Sequence, residues 1–180
     1  MSTRGHYRMT MKTYRYRAVD VFTETRLEGN PLAVFPEASG LDDATVQRIA
    51  NELNLAETAF AFPASQAGHD ARVRIFTPRR EMPFAGHPTI GTTFVLLDES
   101  LVTARQGGIV LQENIGPVAV VDGGEQPLIW LTTPPIRSGP LTVTITRRAV
   151  AVTRRAVAVT RRVVAVTRRA VPIARALSLS

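Results

Sequence analysis

The stretch Arg74–Thr92, RIFTPRREMPFAGHPTIGT, changes character twice along its length. Its first residues continue the alternation of Ala71–Phe76 (ARVRIF), a strand with Val73 and either Ile75 or Phe76 turned inward, and Thr77-Pro78 ends it. Gly86-His87-Pro88-Thr89 then opens a helix over Thr89–Leu97, with Pro88 suited to its first turn, where a missing N–H costs nothing. A helix N-terminus carries free N–H groups and the positive end of the helix dipole. This turn therefore suits an anion such as a carboxylate. Gly86 permits close approach, and His87 can donate to a substrate or shuttle a proton. The same residues also fit a capping turn with a structural histidine, so spacing alone leaves both readings open.

On the N-terminal side, Tyr16–Phe22 (YRAVDVF) and Pro31–Phe35 (PLAVF) are short runs of β-formers, separated by the turn chemistry of Glu28-Gly29-Asn30-Pro31. Asp42 or Asp43 caps a helix whose Val46, Ile49, Ala50 and Leu53 share one apolar face. Glu57–Phe62 (ETAFAF) alternates as a strand up to Pro63. Glu57 sits between Leu55 and the Ala59-Phe60 pair, where a desolvated carboxylate has a raised pKa and suits reversible proton transfer. A solvent-facing glutamate at a strand start is the plainer alternative. On the C-terminal side, Gly107–Glu113, Gly116–Asp122 and Leu128–Thr132 read as three more strands, broken by Gly123-Gly124 and Pro134-Pro135. The order ββαββαβββ is an α+β pattern, because adjacent strands lack intervening helices.

The chain has two compositional parts. Residues 1–15 read as a flexible leader, 16–137 as one domain, and 138–180 as a basic tail outside any native domain. From Thr146 the tail repeats every seven residues as TRRAVAV, TRRAVAV, TRRVVAV, TRRAVPI. Nine of the 22 basic residues lie beyond Arg137 and no acidic residue does, so the overall charge of +7 belongs to the tail and the body is mildly acidic. Contiguous Ala-Val-Ala-Val fails the heptad pattern of a coiled coil and reads as low-complexity, strand-favouring sequence. The arginines supply charge for nucleic acid or an anionic surface, but interleaved aromatics and a recognisable module are missing, which argues against a nucleic-acid partner. No cysteine is present, which excludes disulfides, thiolate nucleophiles and cysteine-bound metal. Neither a run of about 20 apolar residues nor a signal-peptide apolar segment is present, so a cytoplasmic location is expected.

Three co-linear motifs, GNPLAVF (Gly29–Phe35), NLAETAF (Asn54–Phe60) and RIFTPRREMPFAGHPTIGT (Arg74–Thr92), resemble the N-terminal half of the PhzF family of phenazine-biosynthesis isomerase-like proteins. The resemblance runs from about Tyr16 to about Pro135. It implies one half of a diaminopimelate-epimerase-like fold, a sheet wrapped around a central helix, with the active site in a cleft between two such halves. It also implies cofactor-independent and metal-free proton transfer within a small carboxylate-bearing substrate. Glu57 matches the family's acid/base glutamate, and Gly86 and His87 match its substrate-contacting pair. The family's second half supplies an aspartate and a Gly-Ser-rich turn, and no residue after Arg137 matches either. The resemblance thus implies an isomerase with an incomplete site, in which a single wall leaves Glu57 hydrated. Two alternatives stand beside it: a non-catalytic truncated or frame-altered product, and a basic tail that binds nucleic acid or an anionic surface. Pairing of two copies to rebuild the cleft, a homodimer, is a further expectation.

Overall fold

The computed structural model describes residues 11–106, 108–122, 129–132 and 160–167. The strands are β1 (Met11–Val21), β2 (Asn30–Phe35), β3 (Glu57–Phe62), β4 (Ala71–Phe76), β5 (Glu81–Met82), β6 (Ile109–Glu113), β7 (Gly116–Asp122), β8 (Ile129–Leu131) and β9 (Thr160–Thr167). Two helices, α1 (Asp43–Leu53) and α2 (Gly86–Asp98), complete the described elements. The sheet order is β8-β7-β6-β4-β3-β2-β1-β9, with β5 paired to β4 off that path. The β2–β3 and β4–β6 pairs are parallel and the others are antiparallel.

Strand alternation sorts the apolar side chains onto two faces. One face carries Val19 and Val21 of β1, Leu32 and Val34 of β2, Ala59 and Ala61 of β3, Ala71, Val73 and Ile75 of β4, and their equivalents on β6, β7 and β8. All of these pack around α2, whose Ile90, Val95 and Leu96 are buried against them. The apolar surface of α2 extends nearly all round, as expected of a helix that a curled sheet encloses. Gly91 lets the helix approach the sheet: a Cβ there would lie 2.7 Å from Leu32 Cδ2 and 2.9 Å from Val21 Cγ2. The sheet wrapped around a central helix is therefore observed.

The opposite face packs on α1 through Tyr14, Tyr16, Phe35, Phe60 and Phe76, against Val46, Ile49 and Ala50 of the helix. Tyr16–Phe35 and Phe35–Phe60 stack at 5.2 and 4.7 Å between centroids, and Phe60–Phe76 meet edge-on at 5.6 Å. Each such pair contributes about 0.5–1.5 kcal/mol beyond its buried area. Asp42 caps α1 by accepting from the Thr45 N–H at 2.8 Å, and Asn54 closes it in the left-handed conformation.

Several sequence boundaries move. Residues 11–15 belong to β1 and not to a flexible leader, because Tyr14 is buried and its hydroxyl, with Lys12 Nζ, donates to the Ser39 carbonyl. Phe22 lies beyond the strand, with φ 68. Asn30, read as a turn residue before the strand Pro31–Phe35, opens β2. The second helix begins at Gly86, not Thr89, since a proline in its first turn gives up no intrahelical bond. The short β5 has no periodic signal. Residues 160–167 of the repeat pair antiparallel with β1, Met11 opposite Thr167 and Ala18 opposite Thr160. The remainder of the proposed 138–180 tail, and the expected strand residues Gly107 and Leu128, lie outside the described residues.

Candidate active site

The edge of the sheet nearest the N-terminus of α2 collects the ionisable and polar side chains. Glu57 opens β3 and shares its face with Ala59 and Ala61, so it points toward α2. Asn30 opens β2 on the face of Leu32 and Val34, and Leu32 is registered with Glu57. His87 occupies the first turn of α2. All three meet there. The Asn30 Nδ2 amide lies 3.0 Å from His87 Nδ1, and His87 Nε2 lies 3.3 Å from Glu57 Oε2.

The two ends of this chain differ in quality. Asn30 donates to Nδ1, so the neutral imidazole carries its proton on Nε2, facing Glu57. Nε2 and Oε2 are close, yet they lack hydrogen-bond alignment, and both are buried atoms without a hydrogen-bond partner. Leaving such a pair unsatisfied costs about 1–3 kcal/mol per group, and unpaired buried polar atoms of this kind collect at functional sites. Burial pushes the Glu57 carboxyl above its usual range and the His87 imidazole down to about 4. His87 is therefore neutral at pH 7. The Glu57 side chain is only 21% exposed, which overturns the expectation that a single wall would leave it hydrated.

The backbone adds a second functional element. Ala85 caps α2 with no side-chain hydrogen bond, and among the described residues no side chain accepts from the first N–H groups of the helix. The first intrahelical bond visible at this end runs from Thr89 N to Ala85 O at 3.2 Å. The Gly86 and His87 amides thus stand at the positive end of the dipole, and Pro88 has none to offer. A Cβ built on Gly86 meets no atom within 4 Å, so internal packing does not require glycine there. The open space lies beside the free amides.

Beyond β1, Phe22 turns back with its ring 6.4 Å from that of His87, edge-on at 63°. Phe22 and Leu27 both have φ 68, a conformation that costs a non-glycine residue on the order of 1 kcal/mol. The Leu27 N–H donates to Asp20 Oδ2 at 2.9 Å, which ties the loop to β1. Phe22, about half exposed, borders the histidine, and Leu27 in the same loop is fully exposed.

All three sequence-selected residues, Glu57, Gly86 and His87, are brought to one place. Asn30 and Phe22 were not singled out, although Asn30 lies inside GNPLAVF. Glu113 and Thr89, on the far side of the same helical turn, were also missed. Among the described residues, no three His, Cys, Asp or Glu side chains gather as metal ligands.

Residues 19–171 match the sequence family described as phenazine biosynthesis-like protein. The chain belongs to this PhzC-PhzF family. Among curated PhzF relatives, an uncharacterised isomerase of Mesorhizobium japonicum is 52% identical over 108 residues, 60% of this chain and 35% of that one. The trans-2,3-dihydro-3-hydroxyanthranilate isomerase of Pseudomonas aeruginosa is 48% identical over 83 residues, 46% of this chain and 30% of that one. A PhzF-family crystal structure from Enterococcus faecalis superposes with a TM-score of 0.60 at 35% identity, covering 69% of this chain and 45% of that one. The matched segments therefore span about a third of the curated PhzF relatives' length.

Proposed function

We propose that this chain provides one wall of an isomerase site that moves a proton within a small, carboxylate-bearing substrate without a metal or organic cofactor. Glu57 is the acid/base. The Gly86 and His87 amides receive the substrate carboxylate at the N-terminus of α2, and His87 Nε2–H donates to the reacting region. Asn30 keeps the imidazole proton on Nε2, so an ionised Glu57 faces a donor and stays competent as a base. The unpartnered Glu57 Oε2 and His87 Nε2, 3.3 Å apart at an uncapped helix terminus, carry this reading. Desolvation raises the basicity of the carboxylate and brings its pKa closer to the working pH, where general acid/base catalysis is most effective.

The isomerase named among the relatives supplies the first substrate to try. The chain is incubated with trans-2,3-dihydro-3-hydroxyanthranilate, and then with small cyclic and amino-acid-like carboxylates, in D2O. Deuterium incorporation and isomerisation are followed by NMR. The Glu57→Gln variant is expected to lose at least about 100-fold in exchange rate, within the usual range for a general base. Equal exchange by both proteins removes Glu57 from the mechanism, and no exchange by the unaltered chain overturns the proposal for this chain.

A further inference from the structure

Thr89 Oγ1 lies 2.7 Å from the Ala85 carbonyl oxygen and 2.7 Å from Glu113 Oε1. A threonine hydroxyl has one proton, and an ionised carboxylate has none, so an ionised Glu113 cannot satisfy both short contacts. A neutral Glu113 can: its O–H donates to Thr89 Oγ1, and the Thr89 hydroxyl donates to Ala85. We infer that Glu113 is a positioning residue that, as a neutral acid, locks the first turn of α2 and so sets the Gly86 and His87 amides for an anionic substrate. The inference rests on the proposed role of that turn.

Burial and surroundings agree. Glu113 is 5% exposed, Thr89 is fully buried, and Glu113 Oε2 has no hydrogen-bond partner. Alternation places Glu113 on the inner face of β6 with Ile109 and Leu111, while Arg72 of β4 is registered with Gln112 on the other face. From β7 the paired position is Gly116, and from α2 the neighbour is the neutral Thr89. On β5 the nearest charge, Glu81, is held by Arg74 and Asn114. On α2 itself the ionisable groups are His87, which faces Asn30 and Glu57, and Asp98 at the far end of the helix, which pairs with Arg17. Among the described residues no cation pairs with Glu113 to favour its charged form, and burial pushes it up to about 7. On ionisation, Thr89 must turn its proton to Glu113 and leave the Ala85 carbonyl with the Thr89 N–H alone, which loosens the turn.

The full chain, labelled with 13C at glutamate carboxyls and 15N at amides, is titrated by NMR from pH 4 to 9, with Glu113→Gln to assign the signal. The Glu113 carboxyl is expected to titrate near neutrality, with the Gly86 and His87 amide shifts following the same midpoint. In Glu113→Gln, whose amide NH2 still donates to Thr89, those amides lose the step with the Glu113 midpoint and keep only the changes that follow His87 and Glu57. A Glu113 midpoint in the ordinary carboxylate range, or amides that ignore it, overturns the inference. Both readouts are independent of turnover, so loss of the proposed activity with the coupled titration intact would count against the function alone.

Discussion

The Asn30 side-chain amide stands 3.0 Å from Nδ1 of His87 and donates to it. That contact settles which imidazole nitrogen carries the proton, and hence that Glu57 meets an N–H and not a lone pair. Asn30→Asp replaces the donor with an acceptor of the same shape, so Nδ1 must be protonated. The 15N imidazole shifts should move from the Nε2–H tautomer to Nδ1–H or imidazolium. The His87 pKa should rise from about 4 by one or more units. If Glu57 acts as proposed, exchange falls by on the order of 10–100-fold. Unchanged ring shifts would show that Asn30 does not set the tautomer.

This contact also shows where sequence reading stops. Glu57 and His87 are visible in sequence as ionisable residues among apolar neighbours, and the helix N-terminus as Gly-His-Pro-Thr. The α+β order of elements was accessible from the period-two runs and the helical spacing, whereas the wrapping of the sheet around α2 was implied only by the resemblance of three motifs to the PhzF family. Asn30 was hidden because Gly29 and Pro31 flank it, and such neighbours read as a turn when the partner strand is unseen. Gly29 is required instead by crowding: a Cβ there would lie 2.5 Å from Thr23 Cγ2 and 2.7 Å from the Val21 carbonyl. Glu113 ends an ordinary alternating strand, and only the three-dimensional approach of Thr89 separates it from a surface glutamate. The two-residue β5 is too short to carry a period; Glu81 is held there by the paired hydrogen bonds of Arg74, at 2.7 and 2.6 Å.

Stability against pH should reveal the two oppositely shifted buried groups. His87 binds its proton more weakly folded than unfolded, so it adds stability as pH rises from about 4 through 6.5. Glu113 binds its proton more tightly folded, so its contribution is present below about 4.5 and is lost as pH rises through about 7. Each swing is about 3 kcal/mol at most, and over the shared window they offset one another. Thermal melts of the unaltered chain should therefore be nearly flat between pH 4.5 and 6.5. Glu113→Gln should melt higher as pH rises over that window, and His87→Gln should melt lower. Parallel curves for all three proteins would refute both assignments.

Two glycines of α2 should respond in opposite ways to the same substitution. At Gly91 an added methyl group collides with Leu32 and Val21, so Gly91→Ala should cost about 1–3 kcal/mol through overpacking. At Gly86 the space is empty, and Gly86→Ala should leave the melting temperature unchanged or slightly raised. Its effect should appear instead in substrate binding, as a KM increase of roughly tenfold or more, since about 1.4 kcal/mol of lost contact is tenfold. Normal binding by Gly86→Ala would mean that the carboxylate does not approach the helix terminus.

The outer edge of β1 is covered by β9, and the sequence of that strand recurs along the chain. Thr160–Val166 reads TRRVVAV, and Thr146–Val152 and Thr153–Val159 both read TRRAVAV. An edge strand presents unpaired N–H and C=O groups that any strand of suitable pattern can satisfy. With near-identical heptads, the partner of β1 is specified by pattern and not by a unique register. Deleting residues 160–166 should therefore leave slow hydrogen exchange at the β1 amides that face β9, because the preceding heptad moves into place. Deleting residues 138–180 should expose those amides and raise their exchange rates by about 100-fold or more, as expected when roughly 2.7 kcal/mol or more of local protection is lost. Fast exchange after the seven-residue deletion would show that Thr160–Val166 is specifically required. Slow exchange after removal of the whole tail would show that β9 does not protect the β1 edge.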